Sequence, residues 1–221
     1  MIVIDGPAGS GKSSTAKAIA NELDMQYIDS GAIYRVVTLL YIQSEFDENK
    51  FFELFDAVDF SFHYEHGFFH VYLDGKEVTD EIRSQKVSDN VSKVAALPRV
   101  RSKVTDFLRE AVKDGDYISD GRDLGTVVYP NADLKIYMVA DLDERARRRW
   151  QELKDNRPTA EVNLDDIKEN LAKRDQIDSG RSTAPLKKAN DAIEIDTSKL
   201  SFEEQVDLII SHIKKLSGAH I

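Results

Sequence analysis

The sequence predicts an α/β fold, a five-stranded parallel sheet flanked by helices and interrupted by a small antiparallel sheet. Three observations predict it. Short apolar runs begin near residues 2, 26, 117, 134 and 192, and each is followed by a stretch of helical period, the pattern of a parallel sheet wound on both sides. A glycine-rich turn separates the first run from its helix. Between Phe60 and Val78 the period switches from helical to alternating, which marks an antiparallel insertion.

The first strand is Met1-Ile2-Val3-Ile4. The turn after it, Gly6-Pro7-Ala8-Gly9-Ser10-Gly11-Lys12-Ser13, fits G-x-x-x-x-G-K-[ST] at every fixed position. Helical spacing runs on through Ser13 and Ser14 to Leu23. Strand, glycine-rich turn and helix together are the context this motif needs. Backbone N–H groups can converge on an anion where no Cβ intervenes, and the helix N-terminus adds partial positive charge at the same spot. Lys12 then reaches the outer phosphates of a nucleotide, and the Ser13 hydroxyl meets the accompanying Mg²⁺. The predicted sheet is of the P-loop NTPase type.

Met25 to Asp29 reads as a second strand, and Ser30, as N-cap, opens a helix to about Ser44. Lys50 to Phe55 continues in helical period. Phe60, Phe62 and Tyr64, then Phe69, Val71 and Leu73, alternate with polar residues about a turn at His66-Gly67, and Asp74-Gly75 turns again into Lys76-Glu77-Val78. His63, His66 and His70 in this meander are expected to face solvent and not to hold a metal, because no carboxylate or cysteine cluster accompanies them. Helical spacing returns from Ser84 to Ala96, and Pro98 suits the first turn of a helix to Val112. Tyr117-Ile118-Ser119 is the third strand, ending in Asp120-Gly121-Arg122-Asp123, and Leu134 to Val139 is the fourth. An arginine-rich helix covers Asp143 to Leu153, and Asn163 caps another to about Gln176. Ala192 to Ile195 is the last strand, and Ser201-Phe202-Glu203-Glu204 is a capping box opening the last helix.

The excursion between the second and third strands is too long for a loop and implies a subdomain; the helices between the fourth and fifth imply a smaller one. The expected division is a core of residues 1–29, 85–142 and 185–221, an insertion of 30–84 and a lid of 143–184.

Composition narrows the function. A hydrophobic share of 41% with ten Phe is enough for a real core in 221 residues. No secretion-signal pattern and no apolar run of membrane-spanning length occur, and there is no cysteine, so a cytoplasmic protein without disulfides is expected. A net charge of −10 argues against a general nucleic-acid binder. Yet the stretch from Arg145 to Arg157 is locally cationic, which suits a small anionic ligand met at a defined place.

A phosphate-binding loop alone is compatible with GTPases, ATPases, sulfotransferases and kinases. A guanine switch protein needs N-K-x-D and D-x-x-G, and neither occurs. Arginines are plentiful beyond strand ends instead: Arg35, Arg101, Arg122, Arg174 and Arg181. Phosphoryl transfer is mostly positioning and charge neutralisation, for which fixed cations suffice. No single residue stands out as a general base, which suits a phosphate acceptor, already nucleophilic at neutral pH because its second pKa lies near about 6. An alcohol acceptor would call for a carboxylate, and Asp5, Asp120 and Asp123 keep that alternative open.

Four further stretches carry a resemblance. They are Asp29-Ser30-Gly31-Ala32-Ile33-Tyr34-Arg35, Leu97-Pro98-Arg99-Val100-Arg101, the run from Asp120 to Val128, and Arg174-Asp175-Gln176-Ile177-Asp178-Ser179-Gly180-Arg181. In this order, and with the β-meander inserted, they resemble the bacterial cytidylate kinases over nearly the whole chain. The resemblance implies transfer of the ATP γ-phosphate to CMP or dCMP, with Mg²⁺ accompanying ATP. It implies that Ser92, Arg101 and Asp123 read cytosine, that Arg35, Arg122 and Arg181 clamp the acceptor phosphate, and that Arg174 and Asp178 lie near the sugar. Ser30 and Tyr34 line the same pocket, and the lid arginines correspond to Arg145 to Arg149, with Arg148 reaching ATP. Lys12, Arg122 and Arg181 are the expected catalytic cations. Asp120 is expected to join Ser13 at the metal by holding bound water. A monomer is expected. The alternatives are a P-loop kinase for UMP, AMP or shikimate, or a nucleotide-binding module without turnover.

Overall fold

A computed structural model of the chain describes residues 1–156 and 162–218. Strands β1 (Ile2–Asp5), β2 (Gln26–Asp29), β6 (Tyr117–Gly121), β7 (Leu134–Val139) and β8 (Ile193–Asp196) form one sheet in the order β2-β6-β1-β7-β8. Every pairing in it is parallel. All four residues of β1 are buried, as a central strand covered on both faces must be. The alternating segment forms a second sheet, β3 (Phe60–Glu65), β4 (Phe68–Leu73) and β5 (Lys76–Glu77), antiparallel throughout.

The helices follow the capping chemistry. Helix α1 (Lys12–Glu22) starts directly from the glycine-rich turn, with Gly11 in the left-handed region at φ 92°. Helix α2 (Ser30–Gln43) is capped by Asp29, not Ser30: the Asp29 carboxylate accepts from the Ala32 N–H at 2.8 Å. The Ser30 hydroxyl is committed elsewhere, donating to the Asp120 main-chain oxygen at 2.6 Å. Helix α3 (Glu48–Ala57) is capped by Asp47 and α4 (Gln85–Ala95) by Ser84. Pro98 opens α5 (Pro98–Ala111). Helix α6 is Leu142–Asn156 and α7 is Leu164–Gly180. The latter runs about a turn past its expected end, because nothing before Arg181 breaks it. The box at Ser201 and Glu204 closes reciprocally at 2.8 and 3.1 Å and opens α8 (Phe202–Gly218).

One hydrophobic core runs without interruption from the parallel sheet to the meander. Tyr27 of β2 meets Tyr64 of β3 and Phe69 of β4 edge-on, at 5.6 and 5.7 Å between ring centres. A second, small cluster joins α6 to α7 through Ala146, Ile167 and Leu171, and takes in Ala8 of the turn. Trp150 packs against it and donates its indole N–H to the Val162 carbonyl at 3.1 Å, which makes it an anchor. His63 and His70 pair with Glu65 and Glu77 on the exposed side of the meander. No described helix is long and apolar enough to cross a membrane.

Candidate active site

The register pairs Asp5 with Gly121 and Asp29 with Asp120, so the carboxyl ends of β1, β6 and β2 lie level. A cleft of about 620 Å³ opens beyond them, where ligands of open α/β sheets bind. Eleven basic and six acidic side chains line it, in a chain of net charge −10. The local excess of positive charge is what a polyphosphate requires.

Ala8, Gly9, Gly11, Lys12, Ser13 and Ser14 line the cleft, while Gly6, Pro7 and Ser10 shape the loop from beneath. Gly6 leaves β1 at φ +149°, and a Cβ there would stand 2.0 Å from the Met138 carbonyl oxygen of β7. Backbone cannot yield to that contact. Gly6→Ala is expected to cost about 3 kcal/mol, measured as a lowered thermal midpoint. The Lys12 ammonium donates to the Pro7 carbonyl at 2.5 Å and the Ser10 hydroxyl at 3.2 Å. Burial, reinforced by Arg122, holds its pKa well below the usual lysine range. An anion beside it would offset that cost.

Ala8 is gripped from outside the loop. Arg145 of α6 donates to its carbonyl at 2.9 Å and to Asp175 of α7 at 2.6 Å, and the Ala8 N–H donates to Asp175 at 3.2 Å. Arg145 is therefore committed to structure. Arg147 is the exposed member of the cluster, paired with Glu144. Arg148 lines the cleft and bonds Thr197 and Glu144, and Arg149 lines it and pairs with Glu152. Arg157 lies outside the described residues.

At the phosphate end the Ser13 hydroxyl donates to one Asp120 oxygen at 2.7 Å, and the Tyr27 hydroxyl donates to the other at 2.6 Å. Burial and the charge of Asp29 raise the Asp120 pKa, so a nearby cation stabilises its carboxylate. A hydroxyl and a carboxylate side by side fit Mg²⁺, which takes one or two carboxylates and completes its shell with phosphate oxygens and water. Among the described residues no group of three or more His, Cys, Asp or Glu is placed to hold a metal by itself.

Across the cleft the carboxylates are spread among arginines. Asp123 pairs with Arg101 and, at 3.3 Å, with Arg181. Arg122 pairs with Asp178 at 3.1 Å. The adjacent Arg122 and Asp123 thus pair away from each other. Arg35 donates to the Ile82 carbonyl at 3.2 Å and to Ser88 at 3.0 Å. The Arg174 Nε is buried without a hydrogen-bond partner among the described residues. Burial lowers Arg35 and Arg174 to about 10 each, and surrounding guanidinium groups push the same way. An anion bound among these cations would offset their mutual repulsion. The Tyr34 ring lies 5.2 Å from the Arg101 guanidinium, and Ser92 and Ser30 complete this wall.

A family model described as cytidylate kinase matches residues 2–215. The chain belongs to the cytidylate kinase family. Among its relatives is the cytidylate kinase of Chloroherpeton thalassium, 45% identical over 217 residues that cover 95% of this chain and 91% of that one. Another is the cytidylate kinase of Acholeplasma laidlawii, 44% identical over 98% of this chain and 96% of the other. A solved structure of an uncharacterised protein from Eubacterium ventriosum shares the fold, with a TM-score of 0.50, 15% identity and 97% of each chain covered.

Sequence reasoning named Asp5 only as a possible base, and it missed both the structural part Asp5 plays and several other residues of the cleft. Asp5, at the end of β1, accepts from the Leu124 and Gly125 N–H groups at 2.9 and 2.8 Å and so caps a π-helical turn (Leu124–Val128) directly after Asp123. Burial pushes Asp5 up to about 6. Arg83, Lys17, Phe202 and Gln205 also line the cleft. None carries a local motif; only the fold brings them together.

Proposed function

We propose that this kinase transfers the γ-phosphate of ATP to CMP or dCMP, giving ADP and CDP or dCDP. The observation that carries the reading is the arginine wall facing the loop, where Asp123 is fixed between Arg101 and Arg181 and the buried Arg174 Nε has no partner among the described residues. An ionised carboxylate held in this way accepts from the exocyclic amine of cytosine, while a guanidinium donates to the ring acceptors.

The loop amides and Lys12 bind the outer phosphates of ATP. Ser13 and Asp120, the latter through water, hold Mg²⁺, which supplies charge neutralisation at the phosphate oxygens. Arg35, Arg122 and Arg181 orient the acceptor phosphate, whose oxygen attacks without a base. Arg174 and Asp178 meet the sugar, and Arg148 faces ATP. Helices α6 and α7 exclude water as a lid over residues 143–184. The remaining division, a core of 1–29, 85–142 and 185–221 with an acceptor insertion of 30–84, is topological, since both parts share one hydrophobic core. A monomer is the proposed working unit, to be checked by light scattering in solution.

A panel of acceptors in an ADP-release assay tests the reading. CMP and dCMP are expected to support the fastest release, with UMP, AMP and shikimate well behind. ATP binding without acceptor-dependent ADP release would instead indicate a module without turnover.

A further inference from the structure

Tyr27 is fully buried, and its hydroxyl meets a carboxylate, not the main-chain carbonyl that often serves a buried phenol. That carboxylate is Asp120, two residues along β6 from Ile118, the partner of Tyr27 in register. Its other oxygen faces Ser13 at 2.7 Å. The ring itself is wedged edge-on against Tyr64 and Phe69, with the Lys17 ammonium 5.6 Å from its centre.

We infer that Tyr27 is a positioning residue for the phosphate end of the cleft: its hydroxyl fixes Asp120 in the orientation that faces Ser13, and the three-stranded sheet holds the ring that carries it. The inference rests on the assignment of Ser13 and Asp120 to Mg²⁺. A carboxylate with two free rotational settings would share its time between Ser13 and other donors. The Tyr27 O–H at 2.6 Å removes that freedom. Partners of direct metal ligands are typically worth about 10–100-fold in metal affinity, and Tyr27, which acts on a carboxylate that meets the metal through water, is expected at the lower end of that range.

The test is calorimetric. ATP affinity is measured with Mg²⁺ and with EDTA, and the ratio of the two is compared among variants. Tyr27→Phe keeps the ring and its packing, so circular dichroism and thermal unfolding should report a folded protein. Its ratio is expected to fall about tenfold, with ATP affinity in EDTA unchanged. Tyr64→Phe, which loses only a hydroxyl bonded to Asn21, should keep the wild-type ratio. Asp120→Asn should lower it, and adding Tyr27→Phe to Asp120→Asn should lower it little further, since both act through one contact. A folded Tyr27→Phe with the wild-type ratio, or an equal loss in Tyr64→Phe, overturns the inference while leaving the metal assignment standing. A wild-type protein whose ATP affinity ignores Mg²⁺ overturns the metal assignment and the inference with it.

Discussion

Lys12→Ala is expected to reduce kcat by about 10²–10³-fold while the protein stays folded. Lys12 is the one side-chain cation that the phosphate loop itself carries, and its ammonium is already poised over the loop, 2.5 Å from the Pro7 carbonyl. The charge is buried and costly as it stands, since burial and Arg122 both disfavour it. That cost is recovered when phosphate charge develops beside it during transfer, which makes the interaction stronger in the transition state than in the ground state. The loss should therefore fall on kcat more than on the KM for ATP. Removing a buried ammonium relieves desolvation, so no fall in the thermal midpoint is expected. Steady-state kinetics with circular dichroism checks both points, and near-wild-type turnover in a folded variant would remove Lys12 from the mechanism.

Asp123→Ala is expected to lower the CMP-to-UMP ratio of kcat/KM by about tenfold or more, equivalent to about 1.4 kcal/mol per factor of ten. UMP presents a carbonyl oxygen where CMP presents an amine. Against the ionised Asp123, two acceptors then face each other, and an unmatched buried polar group costs about 1–3 kcal/mol. Burial raises the Asp123 pKa, and Arg101, Arg181 and Arg122 oppose that rise. Alanine removes the discriminating group and leaves both guanidinium groups free to donate to a carbonyl, so UMP should lose little. Arg122 pairs with Asp178 and not with Asp123, and Arg181, which loses its Asp123 contact, keeps Asp178 and the Ala184 carbonyl, so the phosphate clamp should survive the change. An equal loss on both substrates would make Asp123 a structural member of the ion-pair set.

The sheet was legible because four of its five strands are short apolar runs before a helical period, and the loop because its glycines, lysine and serine stand at fixed spacing. Strand β6, expected to precede a helix as well, leads only into the π-helical turn and then β7. What the sequence did not carry was long-range pairing. Arg122 and Asp123 are neighbours along the chain, yet their partners come from α7, α5 and the segment after α7. The helix N-cap fell to Asp29 instead of Ser30, because the serine hydroxyl is drawn to a main-chain oxygen 90 residues away. The π-helical turn was invisible for the same reason. Leu124-Gly125-Thr126-Val127-Val128 has no helical signature of its own, and Asp5, which organises its amides, lies 119 and 120 residues earlier. The cations of the cleft were readable one by one. Their crowding belongs to the fold, as does the burial that, with neighbouring guanidinium groups, depresses Arg35 and Arg174.

The unbroken core between the parallel sheet and the meander has a consequence for how the acceptor half can move. A hinge needs a seam crossed by few side chains, and between β2 and the meander Tyr27, Tyr64 and Phe69 interlock instead. Packed rings of this kind slide past one another in small steps. If residues 30–84 tighten around the proposed acceptor, the expected motion is a shear distributed over many contacts, and Tyr27, one of the rings that would bear it, stands directly behind the Asp120 carboxylate.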